Sequence, residues 1–304
     1  MEGANAPRPK LTVGMACYDD FNGVYFSVQA LQLYHAEALR DLEILVVDNR
    51  PESPDGENVR DFVTNWVPGG RYIAAADKVG TAAPRDLVFR EAAGEAVLCI
   101  DAHVLIVPGA IRKLIDYYDA NPACRDLLHG PMLHDDCMRM CTHMDPVWRC
   151  EMFGIWGSDP RGEDADGPVF EIPMHGCGLM SCRKDAWLGF NPQFRGFGGE
   201  EGYIHEKFRQ AGRKVLCLPH LRWLHRFGRP GGVAYPLTRE NKIRNYLLGR
   251  LELGQPYDDV LDHFAPYCTR AAFDRILSDL GLPSLTDHWF KPSRRLPRAV
   301  KAAA

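Results

Sequence analysis

Residues Ala96–Val104 read AVLCIDAHV, a run of apolar residues that stops abruptly in an aspartate, a small residue and a histidine. A short continuous apolar run is the signature of a strand covered on both faces of a parallel sheet. Side chains at i and i+2 of extended backbone point the same way, so Asp101 and His103 can grip one ion together. In open α/β sheets, ligands bind beyond the carboxyl ends of such strands.

Working outward, the upstream chain alternates strand and helix signals. Leu11–Cys17 (LTVGMAC) and Leu42–Val47 (LEILVV) read as buried strands, and Arg71–Ala75 as a weaker third. Helical apolar spacing predicts helices over Val24–Leu39, Val59–Trp66 and Arg85–Ala93, and another follows Pro108-Gly109 to about Tyr118. This alternation predicts an α/β fold built on a doubly wound, mostly parallel sheet with right-handed crossovers. There is neither a GxGxxG nor a Walker motif, which argues against dinucleotide oxidoreductases and P-loop kinases.

Between Asn121 and Phe170 the pattern dissolves. His129, His134, Cys137, Cys141, His143 and Cys150 gather there, and thiolate with imidazole is a zinc ligand set. The spacing is not a paired CxxC, so structural Zn2+ in 129–150 stands against reduced thiols and surface histidines. Order returns with Gly176 and Gly178 before an apolar strand, a helix over Glu201–Gln210 with an acidic first turn, and a strand at Lys214–Leu218. Arg229-Pro230-Gly231-Gly232 is the kind of segment that moves as a lid. Helical patterns then cover Thr238–Leu253 and Tyr257–Leu280, and the tail Lys291–Lys301 carries five basic residues. The organisation expected is a flexible 1–10, a catalytic domain over 11–237, a C-terminal helical extension over 238–290 and a basic tail over 291–304.

Composition narrows the function classes. The chain has 304 residues with 36 Lys and Arg against 40 Asp and Glu, so no global charge steers it to nucleic acid or membrane. MEGANAPRPK lacks the apolar core of a signal peptide, and no run approaches the roughly 18 apolar residues of a spanning helix. The expectation is a cytoplasmic protein with no membrane partner, whose ten cysteines are reduced thiols. Cys17, Cys99 and Cys217, in apolar company, read as small buried hydrophobes.

Four motifs in order over Leu11–Leu248 resemble the A-type-fold nucleotide-sugar glycosyltransferases of the broad family-2 group, leaning toward polypeptide N-acetylgalactosaminyltransferase catalytic domains. DAH at Asp101–His103 resembles their DxH variant of the DxD motif. HGCGLMSCRKDAWLGFNPQFRGFGGEE, residues 175–201, resembles their glycine-rich strand and GGEN helix start. LHRF at Leu224–Phe227 resembles the segment bearing their third metal ligand, and ENKIRNYLL at Glu240–Leu248 follows in the same order.

The resemblance implies a metal-dependent transfer of a sugar from a nucleoside diphosphate sugar, a UDP-sugar first of all, to an acceptor hydroxyl. Asp101, His103 and His225 become the metal ligands, and a mixed carboxylate and imidazole set suits Mn2+ or another divalent cation. Asp48 resembles the family's base-binding acid, and Arg85 lies near a donor-contacting position. Arg226 and Arg229 are placed to neutralise phosphate, for which a guanidinium fork is suited. Glu200 is implied as an acceptor- or sugar-contacting carboxylate and Glu201 as the general base of inverting relatives. Retaining relatives carry Asn at that second position, so the metal motif points to retention and Glu201 to inversion. The acceptor is a saccharide, a protein, a small molecule or a hydroxymethylated DNA base, the last with phosphate tracking by the tail. The competing classes are a nucleotidyltransferase of similar α/β fold and a non-catalytic nucleotide-sugar-binding module.

Overall fold

In the computed structural model, which describes residues 8–228, 232–233 and 235–284, strands β1 (Leu11–Cys17), β2 (Leu42–Asp48), β3 (Arg71–Ala74) and β4 (Ala96–Asp101) lie parallel. Between them run α1 (Phe21–Tyr34), α2 (Pro54–Asn65) and α3 (Ala82–Glu91). The register pairs Leu11 with both Leu42 and Ala96, so β1 sits between β2 and β4, wholly inside the protein. Burying Val24, Val28 and Leu31 fastens α1 to this layer, each side chain contributing roughly 1.5–3 kcal/mol.

Directly after Asp101 the chain leaves the large sheet. It re-forms as β5 (Val104–Ile106) in a second, four-stranded sheet and then enters α4 (Ala110–Ala120). The segment without a sequence pattern is mostly short strands: β6 (Leu127–His129), β7 (Met132–Leu133), β8 (Met140–Cys141), β9 (His143–Arg149) and β10 (Met152–Gly157). Pieces of two or three residues are too short to show a period of two, which is why the sequence reads as irregular. β9 and β10 form a separate antiparallel hairpin.

The large sheet is completed by β11 (Phe170–Glu171), β12 (Leu179–Arg183) and β13 (Val215–Cys217), in the order β11-β13-β6-β12-β4-β1-β2-β3. β12 runs antiparallel to β4, and β11 antiparallel to β13; β6 and β13 are parallel to each other. The doubly wound, mostly parallel sheet read from the sequence is therefore present. Between β12 and β13 lies α5 (Glu200–Gln210), and β14 (Trp223–His225) joins the second sheet beside β5 and β7.

The C-terminal helices are α6 (Arg239–Glu252), α7 (Asp258–Phe264) and α8 (Arg270–Asp279). The single helix expected over Tyr257–Leu280 is two, because Pro266 falls in its middle and cannot continue an α-helix. Thr269 then caps α8 by accepting the Ala272 N–H. These helices enclose their own apolar cluster, into which the hairpin sends Trp148, stacked on His263 with ring centroids 4.4 Å apart. Cys17, Cys99 and Cys217 are buried as expected. No helix among the described residues is long and apolar enough to cross a membrane.

Candidate metal and nucleotide site

The break between β4 and β5 is held open by α1. The Ser27 hydroxyl lies 2.9 Å from the carbonyl oxygens of both Ala102 and Val104 and accepts the Val104 N–H at 3.1 Å. The kink between the sheets is thus a bonded structure. It places Asp101 and His103 on the same cavity, of about 370 Å³, which opens at the carboxyl ends of β1 and β4. His225, at the end of β14, arrives from the second sheet, and the Arg226 N–H bonded to the His103 carbonyl fixes its approach.

Asp101 Oδ2 lies 3.5 Å from His225 Nε2 and 4.0 Å from His103 Nε2. One ligand atom from each of the three residues falls within 4.8 Å of the others, the one such group among the described residues. His103 Nε2 is buried with no hydrogen-bond partner, as a nitrogen kept for an ion would be. A carboxylate and two imidazoles suit a divalent transition metal. The other carboxylate oxygen, Oδ1, accepts from Arg85 Nη2 at 2.5 Å. Burial alone would raise the Asp101 pKa, but the Arg85 charge and the two histidines outweigh it and hold the carboxyl far below its ordinary range.

Arg85 also connects this strand end to the GGEE turn. Its Nη1 is 3.8 Å from Glu200 Oε1, an oxygen that also accepts from the Thr81 hydroxyl, while Glu200 Oε2 accepts the Gly198 N–H at 2.7 Å. Glu200 is 1% exposed, and neither it nor Glu201 lines the cavity. The Glu200 carboxylate ties these three partners together at the start of α5. Glu201, one residue on, has no ion-pair partner of this kind among the described residues. Burial, with the Glu200 charge behind it, pushes its carboxyl up to about 8.

The cavity is lined by backbone and side chains of Ala16, Cys17 and Tyr18, and by Asn49, Arg50 and Arg85 among others. Asp48 is fully buried beneath it, its oxygens accepting from the Arg50 N–H (2.8 Å) and the Tyr72 hydroxyl (3.0 Å). Arg226 stands beside the three candidate ligands, its Nη2 3.2 Å from Asp20. Arg229 and the basic tail lie outside the described residues, as does most of the segment read as a lid.

The proposed zinc ligands do not converge. His129 turns into the core, where its ring packs with those of His175 and His205, Nε2 lies 2.9 Å from His205 Nε2 and Nδ1 lies 2.8 Å from the Leu179 carbonyl oxygen. Cys137 and Cys150 are exposed in left-handed turns, and His134 Nε2 lies 3.3 Å from Cys141 Sγ with its ring against Phe227. Sequence clustering of His and Cys across short strands that alternate between sheets does not produce a site.

Sequence reasoning missed Asp20, whose Oδ2 is 3.0 Å from His103 Nδ1, and Thr81, which reaches Glu200. Both look like ordinary helix-start residues. Gly178, read from the sequence as a glycine where backbone approaches closely, lies against the site: its carbonyl accepts the Asp101 N–H, and a Cβ there would stand 2.9 Å from the Trp223 ring and 3.4 Å from Asp101 Oδ2.

A mannosyltransferase from Pyrobaculum calidifontis in complex with GDP-Man and Mn2+ superposes on 90% of this chain and 75% of its own, with a TM-score of 0.54 at 15% identity. A crystal structure of GalNAc-T7 with UDP, GalNAc and Mn2+ superposes on 94% of this chain with a TM-score of 0.66, also at 15% identity. The chain has the A-type glycosyltransferase fold. It spans 56% of the length of the GalNAc-T7 chain. Residues 12–126 match the family model described as Glycosyl transferase family 2, and no curated protein matches the sequence. That segment of the A-type fold contains Asp48, Arg85, Asp101 and His103. His225, Glu200 and Glu201 lie beyond it and are joined to it by the geometry above.

Proposed function

We propose that the chain is a divalent-metal-dependent glycosyltransferase that takes its sugar from a nucleoside diphosphate sugar, a UDP-sugar first of all. The observation that carries this reading is the convergence of Asp101, His103 and His225 at the edge of a cavity of about 370 Å³. Mn2+ in both structures of the same fold supports the choice of ion. When bound, the ion supplies positive charge to the diphosphate as it becomes the leaving group.

The chain's own residues do the remainder. Arg85 keeps Asp101 ionised and turned, so that Oδ2 alone faces the histidines. Arg226 offers its guanidinium to phosphate oxygens from the same rim. Asp48 accepts the base N–H once the Tyr72 hydroxyl gives way. Glu200 holds the turn through Thr81, Gly198 and Arg85, and Glu201 takes the acceptor proton once its own raised carboxyl has ionised, as a positioned carboxylate can. An acceptor base at this position favours inversion. The acceptor carries a hydroxyl; saccharide, protein and hydroxymethylated DNA base all satisfy that chemistry.

Incubation with a panel of nucleotide sugars and acceptors plus Mn2+, followed by mass spectrometry, tests this reading. Release of a nucleoside diphosphate that EDTA abolishes supports it, and NMR of the product anomer separates inversion from retention. Pyrophosphate release would make the chain a nucleotidyltransferase. Tight donor binding with neither hydrolysis nor transfer would make it a binding module.

A further inference from the structure

An imidazole ligates an ion through one nitrogen, and the hydrogen bond made by the other decides which nitrogen is free. His103 Nδ1 lies 3.0 Å from Asp20 Oδ2, a contact across 83 residues of sequence. A carboxylate only accepts, so Nδ1 carries a hydrogen, and in the neutral imidazole that ligates a metal Nε2 is the bare nitrogen. Nε2 is the buried, unpartnered nitrogen that faces Asp101. Asp20 does two more things at once. Its Oδ1 accepts the Gly23 N–H at 3.0 Å, capping α1, and Arg226 Nη2 sits 3.2 and 3.5 Å from its two oxygens.

We propose that Asp20 is a positioning residue for the metal centre: its carboxylate fixes the tautomer and ring angle of His103 and ties that histidine to the phosphate-facing Arg226. This rests on the metal reading of Asp101, His103 and His225 given above. Ser27 fixes the backbone on either side of His103, and Asp20 fixes the ring. Outer carboxylates of this kind cost about 10–100-fold in metal affinity when removed.

The competing explanation is that Asp20 only caps α1, and two substitutions separate the roles. Ser and Asn both cap helices about as well as Asp, so neither Asp20→Ser nor Asp20→Asn should shift Tm by more than about 4 °C. Asp20→Ser leaves Nδ1 without its acceptor. Asp20→Asn gives its oxygen to Gly23 and turns its amide hydrogens on Nδ1, which drives the ring hydrogen to Nε2. Mn2+ alone, titrated without nucleotide, should bind about 10–100-fold more weakly to both variants. Nitrogen-15 spectra of the metal-free protein should show His103 protonated at Nδ1 in the wild type and at Nε2 in Asp20→Asn.

Mn2+ affinity within about threefold of wild type in both variants, or a wild-type His103 protonated at Nε2, overturns the proposal. So does weakening that appears only together with a larger fall in Tm, which assigns Asp20 to the cap. If the wild type itself binds no Mn2+, the metal reading fails, while the spectra still decide whether Asp20 sets the tautomer.

Discussion

Arg85 donates through Nη2 to Oδ1 of Asp101 at 2.5 Å, and this leaves Oδ2 as the one oxygen of that carboxylate facing His103 and His225. The same guanidinium stands 3.8 Å from Glu200. One buried cation therefore balances the acid at the end of β4 and the acid that opens α5. Arg85→Ala would strand both, and losing one partner of a buried charge pair typically costs about 3–5 kcal/mol. Urea denaturation should show that loss, and Arg85→Lys should recover only part of it, because an ammonium lacks the planar fork.

At the atoms proposed to bind the ion, Asp101→Ala and His225→Ala should each abolish Mn2+-dependent UDP binding and sugar transfer. Isothermal titration in the presence and absence of EDTA reads the first effect and product mass spectrometry the second. Transfer undiminished in EDTA would refute the metal assignment.

The two adjacent glutamates should separate in their effects. Glu201→Gln should leave the unfolding midpoint close to wild type or higher, and lower kcat by about 10²–10⁴-fold, the usual contribution of a general base. Glu200→Gln should do the reverse: its amide cannot accept from both Thr81 and Gly198, so stability falls by roughly 1–3 kcal/mol before any kinetic effect is considered.

Glu201 also predicts a pH dependence. Its carboxyl is raised by burial, then by Glu200, to about 8, above the ordinary 4.5 it regains on unfolding. The folded state therefore binds this proton more tightly, and the contribution is complete below pH 4.5 and lost as pH rises through 8. Metal-free wild type should lose stability across that window. Glu201→Gln should flatten the slope, measured as the urea midpoint against pH.

Gly178→Ala tests the closeness of β12 to the site. The added methyl meets the Trp223 ring at 2.9 Å and Asp101 Oδ2 at 3.4 Å. Overpacking of this kind costs about 1–3 kcal/mol. Weaker Mn2+ binding is expected alongside a lower melting temperature.

The legible parts of this chain were those with a local signal. AVLCI is apolar without interruption because Ala96, Leu98 and Ile100 enter one apolar cluster and Val97 and Cys99 another on the opposite face, and Asp101 marks the point where that burial ends. Glu200-Glu201 announced a helix start, and LHRF stood at a strand edge, so the three residues that meet at the candidate ion site could be named in advance. What stayed hidden depended on pairings far apart in sequence. Nothing in Asp20 tells that its second oxygen serves a ring 83 residues away, and nothing in His129 tells that it stacks with His175 and His205 rather than facing the cysteines near it. Asp48 looked available at its strand end, but Tyr72, from the neighbouring strand β3, occupies it. Pro266 was a visible breaker whose effect the helical periodicity on either side obscured.

The departure of the chain from one sheet into another immediately after Asp101 has a mechanical consequence. Asp101 belongs to the eight-stranded sheet and His225 to the four-stranded one, with His103 on the short span between them. An ion gripped by all three is a rivet through two plates. Because it binds the folded state alone, it adds RT ln(1 + [ion]/Kd) to the work of separating them. Chelation should therefore loosen the small sheet first, with faster amide exchange at Val104–Ile106 and Trp223–His225 while the interior of β1 stays protected.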